Sequence, residues 1–361
     1  MNEAQHPVNP VFYGIESYQK INQYIQEKKP SSIFVLVDTN TQDHCLASFL
    51  KYISTDLPIE VIEIEAGEEN KHIETCTGVW NALSELGADR KSLMINLGGG
   101  VVTDLGGFVA STFKRGIPFI NVPTTLLSMV DASVGGKTGV DLGNLKNQVG
   151  VIVQAEMVLI DSNYLQTLSP REMRSGLAEI LKHGLIADET YWNRLKDLSS
   201  LDLSDLDVII EHSVNLKSKI VKQDPYERTI RKNLNFGHTL GHAIESFYLT
   251  HPEKDKLLHG EAIAIGMILE SFISTELLKF PSNKLQEITT TIIKLFGGVA
   301  IDMKDINEIN SLLKHDKKNS NGKVKFVLLE DISCPKRDIE VPEDLIIKSF
   351  EFYSSLNLTN H

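Results

Sequence analysis

The sequence predicts a two-part fold, an α/β layer followed by a helical half, and three observations carry that reading. Short β-branched runs alternate with helical periodicity from Ser32 to Val122. Beyond Ser169-Pro170 the apolar pattern is helical almost throughout. A chain of 361 residues is also long for one hydrophobic core, and its size favours about two domains. The boundary is placed near Leu168, giving an α/β domain over 1–168 and an all-α domain over 169–361.

In chain order, Ser32 to Val37 reads as a buried parallel strand whose carboxyl end carries Asp38-Thr39-Asn40. Helical periodicity follows through Leu46, Phe49 and Leu50, and Ile59 to Ile64 is a second strand closing on Gly67-Glu68-Glu69-Asn70-Lys71. Val79 to Leu86 is helical. Leu93 to Leu97 is the next strand, and it runs directly into Gly98-Gly99-Gly100-Val101-Val102-Thr103-Asp104. Glycines at a strand-to-helix turn let backbone N–H groups approach an anion, and the following helix aims its positive end at the same place. The spacing is not the Gly-x-Gly-x-x-Gly dinucleotide fingerprint, and a tight structural turn is the alternative reading.

Phe119 to Val122 is a further strand, leading to Pro123-Thr124-Thr125 and then to Gly135-Gly136-Lys137-Thr138. The last piece lacks the full Gly-x-x-x-x-Gly-Lys-[Ser/Thr] spacing, so an ATPase phosphate loop is rejected. Lys137 and Lys146 remain candidate anion contacts, against the ordinary fate of lysine as a solvated surface charge. Ser169-Pro170-Arg171-Glu172 is a helix start, with Ser169 as cap, proline at the first helical position and Glu172 placed to close a capping box. Helices are expected over Met173 to Leu185, Leu206 to Val221, Glu261 to Leu278 and Leu285 to Leu295.

Chemistry converges on Asn235-Phe236-Gly237-His238-Thr239-Leu240-Gly241-His242-Ala243-Ile244-Glu245. His238 and His242, four apart, project from one helix face, and His259 adds a third imidazole before the apolar run Ala262 to Leu269. Thr239 stands where a metalloprotease helix carries its glutamate, so the pattern suggests metal without suggesting protease. The same spacing also arises on amphipathic helices whose histidines are structural. Glu179 sits among Leu177, Ile180 and Leu181, and a carboxylate in an apolar segment needs a metal or a cation. With two histidines it makes a three-ligand site with an open position, as catalytic zinc requires. The alternative is a solvated Glu179–Lys182 pair worth about a few tenths of a kcal/mol.

Composition narrows the partners. A formal net charge of -12 argues against a sequence-independent grip on nucleic acid. No stretch is long and apolar enough for a membrane helix, and the start lacks the basic-then-apolar order of a signal peptide, so a soluble cytoplasmic protein is expected. Three widely separated cysteines, Cys45, Cys76 and Cys334, suggest reduced thiols.

These motifs, taken jointly from Asp38 to Lys318, resemble the 3-dehydroquinate synthase family of sugar-phosphate cyclases. The most specific are Gly67-Glu68 with Lys71, Gly98 to Val101 with Asp104, Arg115-Gly116, Val122 to Leu127, Asp131 with Gly135 to Thr138, Lys146-Asn147, Gly176 to Lys182, Asn235 to Glu245 and His259-Gly260-Glu261. The resemblance implies a Rossmann-like nucleotide-binding domain in front of the helical metal- and substrate-binding domain, a homodimer, and NAD with zinc or cobalt as cofactors. It assigns the metal to Glu179, His238 and His259, which moves His242 from the ligand set to proton transfer. NAD contacts are implied at Asp38, Asn40, Glu68, Lys71, Gly100, Val101, Val102, Thr103, Asp104, Thr124, Thr125, Lys137, Lys146, Leu165 and Thr167. The substrate set is Arg115, Asp131, Lys137, Asn147, Lys182, Lys217, Arg231, Asn235, His242 and Lys317 or its neighbour Lys318. Thr103 departs from the family pattern, which more often has glycine there, and a β-branched residue disfavours positive φ.

The implied reaction, in the shikimate pathway to aromatic amino acids, converts 3-deoxy-D-arabino-heptulosonate 7-phosphate to 3-dehydroquinate and phosphate. It runs by transient oxidation, β-elimination, reduction and internal aldol closure. The rivals are another sugar-phosphate cyclase, a metal-dependent polyol dehydrogenase of similar fold, and a non-enzymatic sugar-phosphate or nucleotide-binding module. The dehydrogenase has no need of so many basic pocket residues, and the binding module has none for the three metal ligands together.

Overall fold

A computed structural model describes residues 9–143, 145–197, 205–313 and 324–356. The chain forms two compact units, Met1–Met173 with Ile210–Tyr226, and Arg174–Ile209 with Glu227–His361. The sequence reading cut the chain once, after Leu168. The structure divides it after Met173 and returns Ile210–Tyr226 to the first unit, where Lys217 Nζ donates to Asp131 Oδ1 at 2.6 Å. Helical periodicity is the same whichever unit a helix joins, so the pattern had no means of reporting that return.

The first unit is built on a six-stranded parallel sheet whose strands lie in the spatial order Val11–Tyr13, Met157–Ile160, Phe119–Pro123, Leu93–Gly98, Ile33–Asp38 and Ile59–Ile64. Its strands are β1 (Val11–Tyr13), β2 (Ile33–Asp38), β3 (Ile59–Ile64), β4 (Leu93–Gly98), β5 (Phe119–Pro123) and β8 (Met157–Ile160). β4 is buried along its whole length and β2 up to Asp38, as continuous apolar runs covered on both faces must be. β3 is the edge strand and alternates, with Glu63 exposed and Ile62 and Ile64 buried. One face packs Phe34, Leu36 and Met94 against Val79 and Leu83 of the helix Ile73–Glu85 and Leu105 and Val109 of the helix Gly100–Thr112. The order of connection reverses between β2 and β4, and the crevice outside the carboxyl ends of such a pair is where open α/β sheets take ligands.

An antiparallel hairpin, β6 (Lys137–Leu142) with β7 (Leu145–Ile152), was not anticipated. It explains why Gly136-Lys137-Thr138 is not a phosphate loop, since Lys137 opens a strand and not a helix. Gly139 faces Gly150 across the hairpin, and a Cβ on Gly139 would lie 2.6 Å from the Val149 carbonyl oxygen.

The second unit is helical with one addition, the antiparallel ribbon β9 (Lys325–Asp331) and β10 (Cys334–Glu340). Its centre is the helix His259–Leu278, apolar all round and buried from Ala262 to Ser271, as a helix covered on every side must be. The helix His238–Thr250 packs on it so closely that a Cβ at Gly266 would lie 2.0 Å from the Gly237 carbonyl oxygen. The expected starts at Met173, Leu206 and Leu285 are met by helices Pro170–Ala187, Leu206–Gln223 and Ser282–Phe296. Ser169 Oγ accepts the Glu172 N–H at 3.2 Å, the cap read from the sequence. Among the described residues no helix is long and apolar enough to cross a membrane.

Candidate functional site

In the first unit Asp38, Glu68, Lys71, the Gly98 turn and Thr124 lie at the carboxyl ends of β2, β3, β4 and β5, whereas Arg115 precedes β5, at its amino end. β4 ends at Gly98, and the helix Gly100–Thr112 begins at once, with Gly99 as a cap that offers no side chain. The opening N–H groups of this helix therefore have no capping side chain, and the positive helix end lies behind them. A Cβ at Gly99 would stand 3.0 Å from Thr125 Cγ2, so glycine sets the fit between the two loops. Beside this start lies a charged network. Lys71 Nζ donates to Asp104 Oδ2 at 2.7 Å and to Asn147 Oδ1 at 2.8 Å, and Lys146 Nζ stands 2.8 Å from Glu68 Oε1. Burial pulls the Lys71 ammonium down, but Asp104, Glu68 and Asp141 around it outweigh burial and hold it charged well above the usual lysine range.

Two further residues of this unit carry backbone strain. Arg115 has φ 69 and Asn147 φ 51, left-handed values that side chains other than glycine seldom adopt. Asn147 is held there by its N–H, which donates to Asp141 Oδ1 at 2.5 Å, and by Lys71 on its side chain. Such strain persists where surrounding contacts over-determine it, which is common in ligand sites.

The second unit gathers imidazoles around one buried carboxylate. Glu179 Oε1 lies 3.5 Å from His238 Nε2 and 3.6 Å from His259 Nε2, while its other oxygen accepts a hydrogen bond from buried Lys182. Two ligands of one tetrahedral ion with bonds of about 2.0–2.1 Å sit roughly 3.3–3.4 Å apart, so these separations suit a shared metal better than direct hydrogen bonds. The outer ring nitrogens are engaged as well. His238 Nδ1 lies 3.1 Å from the Phe236 carbonyl oxygen and His259 Nδ1 lies 3.1 Å from Glu245 Oε2. Outer partners of this kind fix the tautomer that leaves Nε2 as the ligand atom. The His242 ring centroid is 5.1 Å from that of His238 and 5.7 Å from that of His259, and the three imidazoles offer ligand atoms within 4.8 Å of one another. Burial lowers the His259 pKa, yet Glu245 and Glu179 outweigh it and push the ring up to about 9.

Residues 61–175 match the family pattern described as 3-dehydroquinate synthase N-terminal, and residues 176–319 match that described as 3-dehydroquinate synthase C-terminal. The chain belongs to the 3-dehydroquinate synthase family. It is accordingly an enzyme, of the phosphorus–oxygen lyase type. A 3-dehydroquinate synthase of Parabacteroides distasonis is 40% identical over 336 residues, 92% of this chain and 94% of that one. Among solved structures, a 2-deoxy-scyllo-inosose synthase complexed with carbaglucose-6-phosphate, NAD+ and Co2+ is 25% identical, with a TM-score of 0.82 over 96% of this chain and 99% of that one. A 2-epi-5-epi-valiolone synthase from Streptomyces hygroscopicus with NAD+ and Zn2+ bound shares the fold, with a TM-score of 0.83 at 24% identity over 98% of this chain and 99% of that one. The two-part family match, with a relative named 3-dehydroquinate synthase at 40% identity, removes the polyol dehydrogenase and binding-module readings.

Against the residues expected of a 3-dehydroquinate synthase, the first unit brings Glu68, Lys71, Asp104, Lys146 and Asn147 into one network, and pairs Lys217 with Asp131. Asp38 spends one carboxylate oxygen on the Thr41 N–H at 2.8 Å, and Asn40 beside it is exposed. Val102 is wholly buried in the core, so its side chain is closed to any ligand. Thr103 corrects an expectation. It lies inside the helix and not in a positive-φ turn, and its hydroxyl bonds the Gly99 carbonyl at 3.2 Å and Ser128 Oγ at 3.2 Å, so a β-branched side chain costs the loop nothing. Thr124 is buried after β5, where its N–H donates to the Gly98 carbonyl at 3.0 Å. Leu165 and Thr167 are set apart from this group, on the turn after β8, two strands from β4. Lys137 and Arg115 are exposed.

In the second unit, Arg231 is buried, and Asn235 Nδ2 donates to Glu227 Oε1 at 2.5 Å. The solvated reading of Glu179–Lys182 fails because both residues are at most 1% exposed. Lys317 and Lys318 lie outside the described residues. The sequence reading gave Glu245 no role of its own and did not single out Glu227, Asp141 or Glu270. Glu245 was legible, because it lies seven residues after His238 and so on the same helix face. Glu270 was legible as a carboxylate at the end of the apolar run Ala262 to Leu269.

Proposed function

We propose that the chain converts 3-deoxy-D-arabino-heptulosonate 7-phosphate to 3-dehydroquinate and phosphate, using NAD and a divalent ion, zinc or cobalt. One observation carries the reading: Glu179 Oε1 lies 3.5 Å from His238 Nε2 and 3.6 Å from His259 Nε2, in a chain 40% identical to a 3-dehydroquinate synthase over 92% of its length. When bound, NAD supplies the transient oxidation that makes the neighbouring C–H acidic, and the ion polarises the oxygen at that carbon.

The chain's own residues do the rest. Lys182 holds one oxygen of Glu179 and orients the other toward His238 and His259. Glu245 and the Phe236 carbonyl keep those rings in the ligating tautomer. His242, outside the ligand set, takes and returns protons. Arg115, Lys137, Lys217, Arg231, Lys182 and Lys317 bind phosphate and carboxylate through charge-assisted hydrogen bonds, and Asp131, Asn147 and Asn235 orient the hydroxyls. NAD is assigned to the first unit, with the Gly98–Asp104 backbone at its diphosphate and Asp38, Asn40, Glu68, Lys71, Thr124, Thr125 and Lys146 around it. Leu165 and Thr167 are assigned to the nicotinamide side. A cytoplasmic homodimer is the proposed state, checked by sedimentation.

The test is turnover of the heptulosonate phosphate with a trace of NAD. Phosphate and the carbocyclic product should accumulate over many turnovers with no matching rise in NADH absorbance. One NADH per substrate and no phosphate would overturn the reading, and turnover of a different sugar phosphate alone would assign the chain to another cyclase reaction.

A further inference from the structure

Glu270 is wholly buried in the apolar helix His259–Leu278, and its carboxylate does not point along that helix. Glu270 Oε2 accepts the Gly237 N–H at 2.7 Å, and Oε1 accepts the Leu240 N–H at 3.1 Å. These are the opening donors of the neighbouring helix His238–Thr250, whose cap residue is Gly237 at φ 78 and has no side chain to bond them. The cap is supplied from another helix. A full negative charge at a helix start is also the favoured sign for the macrodipole. One turn before Glu270, Gly266 makes room for the Gly237 carbonyl, where a Cβ would stand 2.0 Å away. Gly266 and Glu270 together clamp the peptide that leads into His238.

We propose that Glu270 is a positioning residue for the metal centre, setting the first turn that carries His238 and thereby the Nε2 separation from Glu179. The inference rests on the assignment of Glu179, His238 and His259 as ligands. Its chemistry is specific. Glu270→Gln keeps the shape but puts an amide NH2 where one of the two backbone N–H groups needs an acceptor, so one bond is lost and the charge with it.

The test uses the full-length protein reconstituted with Co2+. Chelator competition measures affinity, the visible d–d spectrum reports ligand geometry, and far-UV circular dichroism and NAD binding report the fold. Glu270→Gln should bind Co2+ about 10- to 100-fold more weakly, with an altered spectrum and unchanged NAD binding. Wild-type affinity and spectrum in Glu270→Gln would overturn the proposal. Should that variant not fold, hydrogen exchange in the wild-type protein decides: the Gly237 and Leu240 amides should be protected like helix-interior amides, and rapid exchange there overturns it. Failure of the underlying ligand assignment reads differently, as full Co2+ binding by His238→Ala.

Discussion

The Lys71 network of the first unit and the Glu179 cluster of the second are both buried charge, but they are assembled in opposite ways. Around Lys71, Glu68 and Lys71 itself follow β3 and Asp104 lies in the helix after β4, while Asp141, Lys146 and Asn147 come from the β6–β7 hairpin. Around Glu179, the participants come from three helices, and glycine-mediated packing brings them together. Gly260 illustrates the difference, since a Cβ there would stand 2.0 Å from the Ser175 carbonyl oxygen on the Glu179 helix. Its N–H also donates to Ser175 Oγ at 3.0 Å. The Lys71 network is thus built from strand ends and a hairpin, and the Glu179 cluster from helices that glycines beside the candidate ligands hold close together.

The largest effect that tests this contrast is at Glu179. Glu179→Gln should lose the ion and reduce kcat by at least ~10³-fold, because a Lewis acid is worth several kcal/mol and each 1.36 kcal/mol is tenfold. Activity should not return with added zinc, whereas chelated wild type should recover. His242→Ala is the control: metal content near normal with slowed turnover keeps it outside the ligand set, while loss of metal would restore the His238/His242 pairing.

Next comes Lys71→Ala, which takes from half-buried Asp104 the ammonium bonded to it. Breaking a buried pair costs about 3–5 kcal/mol, so the melting midpoint should fall and NAD binding weaken while Co2+ binding at the histidines is unchanged. Equal loss of both ligands would show that the two sites do not fail independently. Arg231→Ala is smaller. A hydrogen bond to a charged group is worth roughly 1.5–3 kcal/mol, so kcat/KM should drop about 10- to 150-fold with NAD affinity intact. Wild-type kinetics would make Arg231 a structural cation.

The smallest expected effect is at Thr103. Replacing it by glycine, the residue the family pattern favours, should cost ~1 kcal/mol of stability because the position is helical, and should leave NAD affinity unchanged. A tenfold gain in NAD affinity would restore the idea that this position needs a glycine turn.

Much was determined by the sequence alone. The strands at Ile59 to Ile64 and Leu93 to Leu97, the Ser169 cap and the Gly98 turn all follow from local periodicity and backbone preference, which act over a few residues. The residue types of the candidate metal cluster were also legible, because a carboxylate among leucines and three histidines in one short segment are improbable without a partner. Tertiary structure alone decided the rest. Spacing paired His238 with His242, and only the packing of three helices brings Glu179 to 3.5 Å and 3.6 Å from His238 and His259. The return of Ile210–Tyr226 to the first unit, the Lys71 bonds to Asp104 and Asn147, and the cap that Glu270 provides for another helix are likewise contacts between residues 30 or more apart in the chain. Periodicity reports which face of an element is buried, but the partner on that face is chosen by long-range packing, where shape and charge complement one another only after the chain has folded.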